Sequence, residues 1–334
     1  MYINVAPMDW ITDAAYRYIV AKVFSKYQNP KDQTILTTEF MSADWWVKNP
    51  NGVKKHLLTI GNDKAIPTIA QIFGGNLENL IKTAQDIQQM QIFDGIELNI
   101  GCPSPKIIKT GGGSALMKEP TKTKQLIIKL AQSLKIPFSI KTRTWFNNDL
   151  KQARFETLVD IAPFVKMITI HWRTYTQGHS WEVDREFVYR LKEKVGNQIL
   201  IIGNGGILSY QEAQRRKQNL DGIAIGRWAI WNPWIITPHK PWWEEKKQTM
   251  LEHFELMSKL EIWYQQNSDK LNPNIEEIKT INMDKVNDDH IKSTLEFRKH
   301  FMSYIKGHPQ ASQLRVEISK IYESKKLKKF LSSI

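Results

Sequence analysis

A lone cysteine stands in a segment whose residue types suit chemistry better than packing. Residues 99–117 read NIGCPSPKIIKTGGGSALM, so Cys102 lies between a glycine and a proline and is followed by a basic stretch and three glycines. This composition favours a mobile active-site loop. The alternative is that Cys102 is a small buried residue, which is the commoner fate of a lone cysteine.

Two other polar side chains, Lys141 and His171, stand at or near the ends of apolar runs. Taken singly, a lysine there is most often a solvated charge, and a histidine is most often a satisfied core residue. If the runs are strands of a barrel, however, both side chains point into the same mouth as Cys102. Chance explains the convergence of three such groups less easily than it explains the position of any one of them.

Two glycine-containing turns have the character of a phosphate site. Residues 203–206 (GNGG) follow the seventh apolar run, and Gly226 with Arg227 follows the eighth. Turns after the seventh and eighth strands are where (β/α)₈ barrels commonly bind phosphate, through backbone N–H groups and a nearby cation.

The elements that must position these residues are short, apolar and β-branched, and helix-like stretches separate them. They are residues 3–7, 34–40, 66–73, 93–100, 136–143, 165–171, 198–204 and 221–226. Eight buried strands alternating with amphipathic segments predict a parallel sheet, and eight is the number that closes a (β/α)₈ TIM barrel. The competing architecture is an open doubly wound sheet, but the clustering of polar and glycine residues just after the strands favours the barrel.

The strand pattern ends near residue 235. Residues 237–246 are typical of a linker, and residues 247–334 have helical periodicity without strands. We therefore predict a barrel domain over 1–236 and a C-terminal all-helical domain over 247–334. Residues 286–334 contain ten Lys or Arg against five Asp or Glu.

Composition narrows the classes of protein. The 334 residues include one cysteine, so the chain can form neither an intramolecular disulfide nor a cluster of thiolate metal ligands. We therefore expect a cytoplasmic protein without a metal ion. We also expect a monomer. No stretch approaches the roughly 18 apolar residues that a membrane span needs. The net charge of +13 favours a polyanionic partner.

At this point the chain resembles the tRNA-dihydrouridine synthase family over nearly its whole length. The matching segments, in order, are APMDWITD at 6–13, TEF at 38–40, the cysteine segment, KTR at 141–143, GNGGI at 203–207, IGR with NPW at 225–234, and FRKHFMSYIKGHPQASQLR at 297–315. The cysteine motif is highly specific, and the ordered set leaves little room for coincidence.

The resemblance implies FMN at the barrel mouth, NADPH as the reductant, and tRNA held in part by the helical domain. Its motifs assign the flavin contacts to Pro7, Met8, Gln71, Lys141 and His171, and the flavin phosphate to Asn204, Gly205, Gly206, Gly226 and Arg227. Asn99 and Arg173 would face the uracil, with Cys102 above it.

The expected reaction is a hydride transfer from N5 of reduced FMN to C6 of uridine, with protonation of C5 by Cys102 from the other face. A thiol with an ordinary pKa of about 8.5 is largely protonated at pH 7 and can act as that acid. Because the base lies inside a folded tRNA, we expect it to be extruded into the pocket.

Tryptophan occupies several positions where the family pattern has glycine. They are Trp10, Trp145, Trp172, Trp181, Trp228 and Trp231, half of the 12 tryptophans of the chain. Glycine at a turn or beside a phosphate serves a purpose that an indole cannot. We interpret these six as glycine codons of the source organism that were translated as tryptophan; the alternative is an inactive paralogue. Trp234 belongs to the family's own NPW motif.

Two other functions compete. An FMN barrel oxidoreductase acting on a free pyrimidine would not need the basic helical extension. A non-catalytic tRNA-binding or chaperone protein would not need Cys102, Lys141 and His171 together.

Overall fold

Eight parallel strands form the centre of the molecule. The computed structural model describes residues 1–61, 66–144, 151–176, 183–283 and 292–334. The strands are β1 (Tyr2–Val5), β2 (Leu36–Ser42), β3 (Thr68–Phe73), β4 (Gly95–Asn99), β5 (Phe138–Arg143), β6 (Met167–His171), β7 (Leu200–Asn204) and β8 (Gly222–Ile225). Each overlaps one of the eight predicted apolar runs.

The sheet curls until its two edges meet. Its order is β1-β8-β7-β6-β5-β4-β3-β2, with every pair parallel. The segment just before β2 joins β1: Ile3 donates its N–H to the Gln33 carbonyl at 2.8 Å, and Gln33 donates to the Met1 carbonyl at 2.9 Å. The predicted (β/α)₈ barrel is therefore confirmed, and the open doubly wound sheet is wrong.

Helices return the chain from the end of each strand to the start of the next. They are α1 (Ala14–Tyr27), α2 (Ala43–Lys48), α3 (Pro50–Val53), α4 (Leu77–Gln89), α5 (Pro105–Lys109), α6 (Pro120–Gln132), α7 (Lys151–Ile161), α8 (Glu186–Val195) and α9 (Tyr210–Lys217). In α4 the side chain of Asn76 caps the first turn, and Leu80, Ala84 and Ile87 at helical spacing cover the sheet.

The barrel interior changes from apolar to polar along the strands. A buried apolar cluster comprises Ala6, Ile35, Ile69, Met167, Ile202 and Ala224. Because a strand repeats every two residues, Gln71 shares the inner face with Ile69, and Asn204 shares it with Ile202. The apolar cluster thus supports a polar layer at the carboxyl ends of the strands.

Helices joined by loops make up the described part of the chain after β8. Its helices are α10 (Trp243–Gln266), α11 (Ile275–Lys279), α12 (Lys292–Tyr304), α13 (Ala311–Ser319) and α14 (Ser324–Ser333). Helix α10 begins inside the predicted 237–246 linker and packs on α1, where Lys22 pairs with Glu252 at 2.7 Å. The division into two domains stays a prediction. Within the described ranges, none of these helices, or of those around the barrel, is long and apolar enough to cross a membrane.

Candidate active site

Polar side chains from different strands meet inside the barrel at its carboxyl-terminal mouth. Lys141 on β5 donates to Oδ1 of Asn204 on β7 at 3.5 Å, a bond that passes β6 and so lies within the barrel. Gln71 on β3 accepts a hydrogen bond from Asn99 on β4 at 3.0 Å. His171 is the last residue of β6 and lies beside the turn after β7. Its Nε2 is 3.0 Å from the position that a Cβ on Gly205 would occupy. These five predicted residues lie at or near the carboxyl ends of five consecutive strands, β3 to β7.

The loop that carries Cys102 is fixed by the last residue of β4. Asn99 Oδ1 accepts the backbone N–H of Gly101 at 3.1 Å and that of Cys102 at 2.9 Å. The Cys102 carbonyl in turn accepts the N–H of Ser114 at 3.0 Å. The cysteine is half-buried, so its thiol is neither sealed in the core nor free in solvent.

Arg143 is a site residue that sequence reasoning missed. Its Nε donates to the Gly101 carbonyl at 2.8 Å and its Nη1 donates to the Thr174 carbonyl at 3.2 Å. The guanidinium therefore ties the Cys102 loop to the loop after β6. The signal was present, because Arg143 lies two residues after Lys141 and so shares the inner face of β5.

The electrostatics keep the thiol protonated. Burial raises the pKa of Cys102 above its ordinary value, and the hydrogen bond from the Ser104 backbone and the charges of Lys141 and Arg143 offset this only in part. Burial also lowers the pKa of Lys141, while the nearby Glu97 carboxylate opposes that shift. At neutral pH the mouth thus offers a protonated thiol as a proton donor.

The two glycine turns form a cradle suited to an anion. Gly205 and Gly206 have φ of +115° and +66°, a backbone conformation that residues other than glycine rarely adopt. A Cβ added at Gly226 would meet no atom within 4 Å in the described part of the chain, so space is open beside Arg227. The Arg173 guanidinium also reaches this end, 3.9 Å from the place of a Cβ at Gly206. The expected contact of Arg173 with the uracil stays a prediction.

The loop after β1, which contains Pro7 and Met8, is held by a buried carboxyl. Glu39 Oε1 accepts the N–H of Trp10 at 2.6 Å, and Met8 donates its N–H to Thr12 Oγ1 at 3.0 Å. Burial raises the pKa of Glu39 to about 8. Glu39 belongs to the TEF segment, but its anchoring role depends on a partner 29 residues away, which no local pattern reveals.

Two of the six unusual tryptophans adopt backbone conformations typical of glycine. Trp10 has φ of +62° and Trp231 has φ of +57°. Left-handed backbone brings the Cβ of an L-residue too close to the following carbonyl, and a bulky residue in that region is rare. The strain supports the interpretation that both positions belong to glycine.

The side chains of three of the six tryptophans differ in how they pack against their surroundings. The ring of Trp231 lies 3.0 Å from that of His300, closer than the 4.5–7 Å at which aromatic pairs pack. Trp172 is fully buried, and its Nε1 has no hydrogen-bond partner among the described residues. Trp228 is 41% exposed under Lys306, so its ring projects outward. Trp145 and Trp181 lie outside the described residues.

A parallel eight-stranded barrel with titratable groups gathered at the carboxyl ends of its strands defines a TIM-barrel enzyme. The chain belongs to the dihydrouridine synthase family: the family model described as dihydrouridine synthase matches residues 4–334. The family expected from the sequence motifs is thereby confirmed.

Named relatives agree with the family. A probable tRNA-dihydrouridine synthase of Rickettsia conorii is 30% identical over 239 residues, which cover 70% of this chain and 68% of that one. A tRNA-dihydrouridine(20/20a) synthase of Vibrio parahaemolyticus is 30% identical over 249 residues, covering 70% and 71%. Among solved structures, the old yellow enzyme from Trypanosoma cruzi is similar with a TM-score of 0.47 and 11% identity, covering 70% of this chain and 86% of that one.

Proposed function

We propose that this protein reduces uridines of tRNA to 5,6-dihydrouridine, with FMN as cofactor and NADPH as reductant. The observation that carries the proposal is the half-buried Cys102, whose backbone Asn99 holds at the same mouth as the two glycine turns. Burial raises the pKa of its thiol, which suits an acid. Family membership supports the reaction, and the names of the relatives support tRNA as its substrate.

The residues at the mouth fit FMN. The open space at Gly226 and the left-handed turn of Gly205 and Gly206 are suited to its phosphate, with Arg227 supplying charge. Lys141, half-buried beside Asn204, would donate to the flavin ring, and His171 would close the edge above Gly205. Pro7 and Met8 would border the ring on the anchored β1 loop, and Gln71 would face it from β3.

The chain supplies the acid and the surroundings of the base. Bound FMN, once reduced, supplies the hydride that C6 of the uracil accepts. Cys102 donates its proton to C5 as negative charge develops there, and Arg143 and Asn99 keep the loop in place while it does so. The thiolate that remains is stabilised by the nearby Lys141 and Arg143 charges.

The helical part of the chain adds cations to the mouth rim. Lys299 on α12 lies 5.7 Å from the ring of Trp10 in the β1 loop, and Lys306 lies 3.8 Å from the ring of Trp228 after β8. Both lysines are exposed. They are therefore placed to contact phosphates of a tRNA whose target base enters the barrel.

The test of the function uses tRNA transcribed in vitro, which contains no dihydrouridine, with the FMN-loaded protein and NADPH. We expect NADPH oxidation that depends on tRNA, and dihydrouridine in the product by mass spectrometry. Turnover of free uracil or orotate without tRNA turnover would support the free-pyrimidine oxidoreductase instead. Tight tRNA binding without bound flavin or turnover would support the non-catalytic protein.

Replacement of Arg227 by alanine should weaken FMN binding by roughly 10- to 100-fold, because a hydrogen bond between charged groups contributes about 1.5–3 kcal/mol. Fluorescence titration of the apoprotein with FMN measures the effect. Arg215→Ala is the control, since that side chain is 72% exposed on α9 and makes only a long ion pair with Glu212, at 4.0 Å. Equal FMN affinity in both variants would remove Arg227 from the cradle.

Lys299→Gln with Lys306→Gln should weaken tRNA binding and reduce the slope of log K against log salt by about two. The matched control neutralises Lys135 and Lys166, two exposed lysines that precede β5 and β6 at the opposite end of the barrel. Filter binding over a range of salt concentrations gives both slopes. The same loss from the control pair would place the tRNA elsewhere.

A further inference from the structure

A buried chain of hydrogen bonds runs from Glu97 to the Cys102 loop. Glu97 Oε1 accepts the amide N–H of Gln71 at 2.5 Å, and Gln71 Oε1 accepts the amide N–H of Asn99 at 3.0 Å. Asn99 Oδ1 then accepts the backbone N–H groups of Gly101 and Cys102. Glu97 is 1% exposed and Gln71 is fully buried, so water does not substitute for either partner.

The direction of every bond in this chain is set at both ends. The backbone N–H groups of Gly101 and Cys102 can only donate, so Asn99 turns its oxygen to them, and Glu97 accepts from Gln71 at the other end. An amide presents an oxygen on one side and an NH₂ group on the other. Burial raises the pKa of Glu97 to about 7, but an ionised carboxylate only accepts and a protonated carboxyl keeps an acceptor oxygen, so Glu97 can accept from Gln71 in either form. Gln71 must therefore turn its NH₂ toward Glu97, which leaves its oxygen for Asn99. If Gln71 turned over, its NH₂ group would meet that of Asn99, or Asn99 would have to turn over as well and present its NH₂ group to the backbone donors of the cysteine loop.

We propose that Glu97 is a positioning residue for Cys102: its carboxyl oxygen orients the amides of Gln71 and Asn99, and Asn99 thereby holds the Cys102 backbone in place. Glu97 touches neither the thiol nor the proposed substrate. Its nearness to Lys141 offers a competing role as a charge partner, and the two roles predict different behaviour for a glutamine in its place.

Because Cys102 is the single cysteine, alkylation of the FMN-loaded full chain by iodoacetamide reports on this thiol alone. In Glu97→Ala we expect the alkylation rate to change by roughly three- to tenfold, since the two hydrogen bonds that hold the loop are weakened. Glu97→Gln keeps an acceptor oxygen for Gln71 and should restore most of the original rate. Ser139→Ala is the control, because Ser139 pairs with Glu97 in register on β5 but lies outside the chain of hydrogen bonds.

Gln71→Met breaks the same chain one link further on at similar size, and it should reproduce the alkylation rate of Glu97→Ala. This second variant decides the question if Glu97→Ala does not fold. Unchanged alkylation in a folded Glu97→Ala or Gln71→Met protein would overturn the proposal. A Glu97→Gln protein as impaired as the alanine variant would also overturn it and would favour the charge role.

Activity provides an independent measurement and rests on the proposed function. Uridine reduction should fall in Glu97→Ala and recover in Glu97→Gln, while flavin reduction by NADPH stays at the original rate. Alkylation requires neither tRNA nor NADPH. If the original protein makes no dihydrouridine but the alkylation rates follow the expected order, the proposed function fails and the positioning role stands.

Discussion

Cys102→Ala should lower uridine reduction by at least about a hundredfold, the lower end of what a positioned general acid contributes. Reduction of the flavin by NADPH should be unaffected, because that hydride transfer needs no proton at C5. The loop should keep its shape, since Asn99 and Arg143 bind its backbone and not the thiol. Stopped-flow absorbance separates the two half-reactions in one protein preparation.

The pH dependence of uridine reduction also tests the role of Cys102 as the acid. The acid must be protonated to act, so uridine reduction should decline as the pH rises through the pKa of the thiol. Burial raises that pKa, so the midpoint of the decline should lie above the ordinary cysteine value of about 8.5. The alanine variant should lack this decline. Unchanged turnover in Cys102→Ala would remove the thiol from the mechanism.

Restoring glycine at all six unusual tryptophan positions should raise both the stability and the FMN content of the protein. A left-handed tryptophan costs about 1–2 kcal/mol, and the structure places two of them, at Trp10 and Trp231. Overpacking adds about 1–3 kcal/mol where rings are forced together, as at Trp231 and His300. The gain should be larger at these two positions than at Trp228, whose ring projects outward. Thermal unfolding and flavin absorbance measure both effects.

Trp234→Gly is the control for this experiment. Trp234 is 2% exposed and donates its indole N–H to Glu245, so its loss should cost about 3–5 kcal/mol. If the six replacements together destabilise the protein as this control does, the six tryptophans are native and the inactive paralogue gains support. The gene offers a direct check: six UGG codons would contradict the misreading, whereas one reassigned stop codon shared by the six and absent from Trp234 would establish it.

The sequence by itself determined the barrel and the ends of its strands. Eight apolar runs separated by helix-like stretches predicted the barrel, and Lys141 and His171 at the ends of two of them could be placed at the same mouth as Cys102. The order of motifs determined the family. These features are local, because a strand, a turn or a motif is specified by residues adjacent in the chain.

Contacts between distant segments were decided only by the tertiary structure. Glu39 holds the backbone of Trp10 from 29 residues away, and Arg143 reaches Gly101 across 42 residues. The approach of Arg173 to Gly206 and the hydrogen bond from Gln71 to Glu97 depend on which strands become neighbours when the barrel closes. A hydrogen bond requires two groups within about 3 Å, and the spacing of residues along the chain carries no information on that distance until the fold brings them together.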